Sequence, residues 1–169
     1  LLKHFCLCVD DNVSEDNHVI AANEGNAIAL ASGYHLATGK LPLVYMQNSG
    51  LGNIINPLLS LCDPDVYSIP MLLLIGWRGE PGTQDEPQHL KQGRIQLDLL
   101  KIMDIPFKII SQDDDIEKEI DESVGAALLK KQPVAIIIKK GTFANYKSLS
   151  PTINQNLMSR EESLKIILN

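Results

Sequence analysis

The sequence predicts an α/β fold in which a parallel β-sheet is covered by helices on both faces. Short apolar runs alternate along the chain with longer segments of helical periodicity, and this alternation is typical of parallel sheets with right-handed crossovers. The run 71–77 is almost continuously hydrophobic, as expected for a strand buried on both faces. With 169 residues and 44% hydrophobic content, the chain is large enough for one globular domain with its own core.

The first part of the chain is expected to form two helices with a strand between them. Apolar side chains at helical spacing predict a helix over the opening residues. After a polar turn, the run 18–22 is predicted to be a buried strand. A helix then begins at Glu24, with Asn23 as its N-cap and Gly39 at its end. Another backbone can pack closely against its small residues, which are Gly25, Ala27, Ala29, Ala31, Ser32 and Gly33.

The rest of the chain continues the alternation. Apolar runs predict strands at 41–47, 71–77, 107–110 and 133–138. Helical periodicity predicts helices through 54–61, from 88 to 103, and from the acidic start 113–115 to about 130. Ligands of such sheets bind beyond the carboxyl ends of the strands. The candidate site therefore comprises three loops on that edge, at 23–25, 47–53 and 78–89.

Composition excludes several classes of partner. The 15 basic and 21 acidic residues give a net charge of -6, and no basic cluster indicates a nucleic-acid surface. No apolar run approaches the ~20 residues of a membrane span. Three cysteines, two of them too close for mutual pairing, indicate a reducing compartment and hence a cytoplasmic protein.

The two ends predict continuation of the chain in both directions. The first residue is not Met and lies in a helix already under way, so we expect a preceding segment. Ser159 and Glu162 have the spacing of a capping box and predict a new helix. We therefore expect one domain over 1–150, and a linker with the start of a following segment over 151–169.

Glu24 is the first candidate for chemistry. An acidic residue in the first turn of a helix is favoured by the helix dipole and needs no further role. Here, however, Ala21 and Ala22 precede it and Gly25 follows it. Burial among such small apolar groups would raise the pKa of the carboxyl and suit it to carrying a proton.

Two glycine-rich loops are further candidates. The run 49–53 lacks the further residues of dinucleotide, P-loop and hydrolase motifs, so a tight turn opening a helix explains it equally well. The loop 78–89 has the composition of a surface loop. Within it, Arg78 offers a fixed fork for an anionic group and His89 a group that can move protons.

These segments together carry a family resemblance. Residues 23–27 with the small residues after them, followed by 47–53, resemble the pyrimidine-binding domain of thiamine-diphosphate-dependent 2-oxoacid decarboxylases. The finer resemblance is to the phosphonopyruvate decarboxylases, and the sulfopyruvate decarboxylases are the nearest alternative. It spans roughly residues 18–110 and is carried by four segments, which are 33–39, 45–50, 75–82 and 85–89.

The resemblance implies specific roles. Glu24 would hydrogen-bond N1′ of the cofactor's aminopyrimidine and so activate the cofactor for attack on a 2-oxoacid. Arg78, Gln88 and His89 would lie near the substrate or the cofactor. The remaining cofactor-binding residues that it implies are Gln47, Asn48, Ser49, Gly50 and Asn53. One departure is Leu51, where many relatives carry proline.

The resemblance also implies a partner. No Gly-Asp-Gly motif, which in this family anchors Mg²⁺ and the cofactor's diphosphate, occurs in these residues. The metal and diphosphate would be bound by a diphosphate-binding domain of the same protein or of a partner subunit, in an obligate oligomer. The family's leading strand is not recognisable before Leu1. The alternative to a decarboxylase half-site is a non-catalytic domain that keeps the same fold.

Overall fold

The computed structural model describes residues 1–149, 158 and 160–168. Six helices are found in this part of the chain, namely α1 Lys3–Asn12, α2 Glu24–Thr38, α3 Leu51–Pro57, α4 Pro87–Ile102, α5 Ile116–Lys130 and α6 Arg160–Leu168. Four strands are found in it, namely β1 Leu43–Gln47, β2 Met71–Gly76, β3 Phe107–Ile110 and β4 Pro133–Ile138. Ser159, the expected N-cap of the last helix, and most of the expected linker lie outside the described residues.

The strands form one parallel sheet in the order β1-β2-β4-β3. Both central strands are buried along their whole length, which explains their nearly continuous hydrophobicity. The predicted α/β fold with a parallel sheet is confirmed.

Helices cover both faces of this sheet. Since alternate residues of a strand point to opposite faces, each face has its own apolar contacts. On one face, Leu73 and Ile75 pack with side chains of α2, α3 and α4. On the other face, Leu74 packs with residues at the start of the chain and Leu72 packs with Ala127 of α5. The two-sided cover predicted from the sequence is confirmed.

The ends of the helices follow the expected local chemistry. Asn23 caps α2 by accepting a hydrogen bond from the backbone N–H of Asn26 at 2.9 Å, and Gly39 ends it with a φ of 70°. Asp115 caps α5 in the same way through the N–H of Lys118. A 3₁₀ turn over Asn48–Gly50 precedes α3, and a π-helical turn over Leu58–Cys62 continues it.

The predicted strand at 18–22 is wrong. This segment has no regular structure and lies outside the sheet, with Val19 64% and Ile20 84% exposed. It is held by one side chain, because Nε2 of His18 lies 2.6 Å from the Tyr45 hydroxyl and Nδ1 lies 3.3 Å from Asp10. Within the described residues β1 pairs only with β2, so its other edge is unpaired and the run 18–22 does not add a strand there.

The loop after β2 lies directly on the backbone of α4 through two glycines. A Cβ on Gly93 would lie 1.8 Å from the carbonyl oxygen of Gly79. A Cβ on Gly79, whose φ is +66°, would lie 2.0 Å from the carbonyl oxygen of His89. Trp77 fastens the same contact by donating from Nε1 to the carbonyl of Gly93 at 2.9 Å. The residues that follow β2 and the first turns of α4 therefore have fixed relative positions.

Gly93→Ala is expected to lower the free energy of unfolding by about 1–3 kcal/mol, because the added methyl group meets backbone that has no free space to move into. Gly125→Ala is the matched control on α5, where no atom lies within 4 Å of the added Cβ. That variant is expected to gain roughly 0.5–1 kcal/mol from helix propensity. Urea unfolding of the two variants measures both effects. Equal changes would contradict the backbone contact.

Candidate active site

The carboxyl ends of β1 and β2 are joined by the side chain of Asn48. Its Nδ2 donates to the carbonyl of Arg78 at 2.8 Å, and its Oδ1 accepts from the N–H of Arg78 at 3.1 Å. The residue is 2% exposed. Both ends of the amide therefore bond to the backbone of one residue, which continues the pairing of the two chains past the end of the strands. In this arrangement Asn48 fixes the edge on which the neighbouring residues are displayed.

Glu24 lies at this edge as the first residue of α2. Its Oε2 accepts a hydrogen bond from Nδ2 of Asn53, on α3, at 2.7 Å. The side chain is partly exposed. Its surroundings differ from the expected apolar wall, because Ala22 is exposed and Ala21 only partly buried. The carboxyl group is thus oriented by a hydrogen bond and remains accessible at the surface of this chain.

Gly50 forms the wall against which the Glu24 carboxyl rests. A Cβ at Gly50 would lie 2.4 Å from Cγ, 2.5 Å from Cδ and 2.6 Å from Oε1 of Glu24. A Cβ at Gly25 would lie 3.0 Å from the carbonyl oxygen of Asn53. The starts of α2 and α3 therefore touch through glycine. Part of the expected close packing of α2 is confirmed at Gly25, whereas Gly33 has no atom within 4 Å of such a Cβ.

The side chain of Asp85 holds the loop after β2 in a closed ring. Its two oxygens accept bonds from Nε and Nη2 of Arg78, the shortest at 2.5 Å. They also accept from the backbone N–H groups of Gly79, at 2.7 Å, and Glu86, at 2.8 Å. We call this set of bonds the Asp85 clamp.

The Asp85 clamp changes the charge properties of both partners. The hydrogen bonds from Arg78, with those from the backbone, hold the pKa of Asp85 well below its usual range. The same bonds raise the pKa of Arg78. The fork that the sequence offered to a substrate anion is therefore engaged by a carboxylate of its own loop. Sequence reasoning missed this partner, although an acidic residue seven positions after the arginine was a visible signal.

The other predicted site residues are displayed less tightly. Gln47, Ser49 and Gln88 have exposed side chains at the same edge of the sheet. His89 is partly buried, and its Nδ1 is buried without a hydrogen-bond partner in the described chain. The structure thus brings Glu24, Gly50 and Asn53 into direct contact, and it joins Asn48 to Arg78. No hydrogen bond between described residues links Gln88 or His89 to Glu24.

The described residues hold no metal site of their own. No three His, Cys, Asp or Glu side chains within 1–149 and the described part of the C-terminal helix are grouped so that they could hold a metal ion. None of the helices in this same part of the chain combines the length and the apolar character that a bilayer crossing needs.

Comparison with known proteins gives one matching family model and several relatives. Residues 3–102 match the family described as thiamine pyrophosphate enzyme, N-terminal TPP binding domain. The chain is 37% identical to a phosphonopyruvate decarboxylase of Streptomyces viridochromogenes, over 76% of this chain and 32% of the relative. It is 35% identical to a sulfopyruvate decarboxylase subunit alpha of Methanothermobacter thermautotrophicus, over 72% of this chain and 71% of the relative.

A second phosphonopyruvate decarboxylase, from Streptomyces hygroscopicus, is 36% identical over 76% of this chain and 31% of its own length. The chain therefore spans about a third of the length of the phosphonopyruvate decarboxylases that it matches.

Gly50→Ala is expected to displace the Glu24 carboxyl and break its bond with Asn53, because the new methyl group occupies the same space. The free energy of unfolding should fall by only about 1 kcal/mol, the worth of one hydrogen bond, since a flexible side chain can move aside. The NMR resonances of the Asn53 side-chain amide should shift. In the matched control Gly52→Ala, where the added Cβ has open space, they should stay in place. Unchanged Asn53 resonances in both variants would contradict the contact.

Asp85→Asn is expected to destabilise the fold most at neutral pH. Because the pKa of Asp85 is lowered in the folded state, its carboxylate stabilises the fold above the unfolded-state pKa of about 3.9. This contribution is lost as the pH falls towards the folded-state pKa. The difference from the parent chain in urea unfolding should therefore shrink below about pH 4. The control Asp98→Asn removes an ion pair whose Asp side chain is 72% exposed and should show little difference at any pH.

Proposed function

We propose a function for this chain that follows from its family. The chain belongs to the thiamine pyrophosphate enzymes, whose N-terminal TPP binding domain it matches over residues 3–102. In this proposal the chain is the pyrimidine-binding half of a thiamine-diphosphate-dependent 2-oxoacid decarboxylase. Its substrate is 3-phosphonopyruvate, and the products are phosphonoacetaldehyde and carbon dioxide. The enzyme is thus a carboxy-lyase.

The observation that supports this proposal is the setting of the Glu24 carboxyl. It is accessible at the carboxyl edge of the sheet, it is held by Asn53 at 2.7 Å, and it rests against Gly50. A carboxyl group that is both oriented and accessible suits a ring nitrogen that must gain and lose a proton. These residues therefore fit the aminopyrimidine of thiamine diphosphate. When bound, the cofactor supplies a thiazolium carbon that attacks the keto carbon and accepts the electron pair that carbon dioxide leaves behind.

The chain's own residues prepare that chemistry. Glu24 would hold a proton at N1′ of the pyrimidine, and Asn53 keeps the carboxyl in position by donating to its Oε2. Gly50 leaves the space that the carboxyl occupies, because a Cβ there would lie 2.4 Å from Cγ of Glu24. Asn48 supports the cofactor site without contacting the cofactor, since its amide fixes the backbone at the edge of the sheet. Gln47 and Ser49 have exposed side chains that would contact the cofactor.

The substrate side comprises Arg78, Gln88 and His89. Gln88 and His89 open α4, and Arg78 follows β2 at the same edge. His89 has a buried ring nitrogen without a partner in the described chain, which a group of the substrate or cofactor would pair. Arg78 contributes to the substrate side by holding the loop after β2 through the Asp85 clamp.

The proposed site needs a second domain. In this proposal Mg²⁺ and the cofactor's diphosphate are bound by a diphosphate-binding domain of the same protein or of a partner subunit, as the family resemblance implies. A relative that is named subunit alpha supports the two-subunit arrangement. A homo-oligomer of the complete enzyme brings the two domains together.

Cytoplasmic location is part of the proposal. Cys6, Cys8 and Cys62 are all free thiols, in agreement with a reducing compartment.

Sulfopyruvate is the second candidate substrate. The chain covers 71% of a sulfopyruvate decarboxylase subunit alpha at 35% identity, a larger share of the relative than for either phosphonopyruvate decarboxylase. Steady-state kinetics of the complete enzyme with both 2-oxoacids should give the higher kcat/KM with 3-phosphonopyruvate. A preference for sulfopyruvate would reverse the assignment, and turnover of neither acid would support a non-catalytic domain.

Glu24→Gln is expected to lower the decarboxylation rate of the complete enzyme by at least about a hundredfold, because the amide cannot exchange the proton at the pyrimidine nitrogen. Thiamine diphosphate should still bind, as calorimetry can measure. The matched control is Glu117→Gln on α5, whose side chain is exposed and whose helix packs on the opposite face of the sheet. Full activity of the Glu24→Gln enzyme would contradict the proposed role.

A further inference from the structure

We propose that Asp85 is a positioning residue of the substrate side: it locks the loop 78–86 onto α4 and uses Arg78 as part of that lock, leaving His89 to meet the ligand. This inference rests on the proposed function. The sequence suggested that Arg78, directly after a buried strand, receives the anionic group of the substrate. This inference assigns Arg78 a different task.

The first step of the argument is the saturation of the Asp85 carboxylate. Its oxygens accept from two nitrogens of Arg78 and from the N–H groups of Gly79 and Glu86, all between 2.5 and 3.2 Å. The side chains of Arg78 and Asp85 are only 25% and 14% exposed. A two-pronged, shielded ion pair with added backbone donors is a strong and directional contact. A substrate anion would have to displace the carboxylate to reach the Nε and Nη2 face of the guanidinium.

The second step is the path from the Asp85 clamp to α4. Gly79, whose N–H is held by Asp85, lies directly on the carbonyls of α4, as the close approaches at His89 and Gly93 show. Trp77, two residues before Gly79, donates from Nε1 to the carbonyl of Gly93. On its outer side, Glu80 pairs with Lys139 at 2.8 Å, after the end of β4. The conformation of this loop therefore sets where the first two turns of α4 lie.

The third step is the path from the Asp85 clamp to Glu24. The backbone of Arg78 is bonded at both its N–H and its carbonyl to the side chain of Asn48. Asn48 opens the turn that ends at Gly50, which is the wall of the Glu24 carboxyl. One loop conformation thus controls both halves of the candidate site.

The fourth step is the presence of buried polar atoms on α4 that have no partner. Nδ1 of His89 and Oε1 of Gln92, one helical turn later, are both buried and unpaired among the described residues. Buried polar atoms cost free energy unless something pairs with them. Nε and Nη2 of Arg78 are engaged within its own loop, whereas Nδ1 of His89 has no partner among the described residues. In this proposal His89 therefore carries the group that still needs a ligand or partner-domain atom to pair with it.

The test uses the complete enzyme, with this chain joined to its diphosphate-binding half. The variants are Asp85→Asn, Asp85→Ala, Arg78→Ala and the double variant Asp85→Ala with Arg78→Ala. Each single variant should raise KM and lower kcat/KM about ten- to a hundredfold, the scale of a misplaced binding group. The double variant should be no worse than Asp85→Ala alone within about twofold, because both residues act through one contact. The control Asp98→Asn changes an exposed Asp of α4, outside the loop, and should behave like the parent enzyme.

Amide hydrogen exchange gives a readout that needs no turnover. In the Asp85 variants, exchange should rise in peptides covering 78–93 and stay unchanged in the strands, since the loop opens while the fold persists. If activity fell only with the folded fraction, with KM unchanged, Asp85 would be purely structural and the proposal would be overturned.

The opposite role of Arg78 has its own signature. In that role Arg78 would bind the substrate anion and Asp85 would compete with the anion for it. Asp85→Asn would then lower the KM for an anionic substrate. Arg78→Ala would abolish the preference for 3-phosphonopyruvate over pyruvate. The double variant would then also be worse than either single one. Any of these results would overturn the proposal.

Failure of the proposed function is distinguishable from failure of this inference. A parent enzyme that decarboxylates no 2-oxoacid contradicts the function, while the exchange measurement still tests whether Asp85 holds the loop. An active parent enzyme whose Asp85 variants exchange and react as it does contradicts the inference alone.

Discussion

The candidate site depends on backbone contacts that only glycine permits. At Gly50 the turn before α3 comes so close to the Glu24 side chain that a methyl group has no space, and at Gly79 and Gly93 a loop lies directly on a helix. The contacts at Gly79 and Gly93 join backbone to backbone, which no change of rotamer can relieve, so they fix the loop firmly on α4. The contact at Gly50 joins backbone to a side chain, and it sets the position of the Glu24 carboxyl more softly.

Polar side chains complete what the glycines begin. Asn48 bonds the backbone of Arg78 where the ladder of β1 and β2 ends, and Asp85 closes the next loop on itself. Both side chains satisfy backbone groups that would otherwise be unpaired near the surface of the core. Among the candidate residues, the Glu24 side chain is partly exposed, and Nδ1 of His89 is buried without a partner in the described chain. In the proposed site, Asn48 and Asp85 hold the edge of the sheet, whereas Glu24 and His89 contact the ligand.

Most of the architecture was predictable because it follows from local patterns. The apolar runs that became β2 and β4 are buried on both faces, and their continuous hydrophobicity predicted this. Asn23 begins α2 and Gly39 ends it, as their conformational preferences indicated, and α5 begins after the acidic run 113–115. The run 18–22 had the same apolar character and still formed no strand, although in the described chain β1 pairs only with β2 and has an open edge. Pairing is a property of the tertiary structure, and hydrophobicity alone does not supply it.

The sequence by itself determined the fold class, the family resemblance and the identity of Glu24 and its neighbouring loops as the candidate site, since these depend on residue types and their order. Only the tertiary structure decided which groups meet. It paired Glu24 with Asn53, turned Asn48 towards the backbone of Arg78, and gave the Arg78 fork to Asp85. A hydrogen bond or ion pair forms or fails with a change of a few tenths of an ångström in the distance between its atoms. The residues involved are often far apart in the chain, and no sequence pattern encodes such distances.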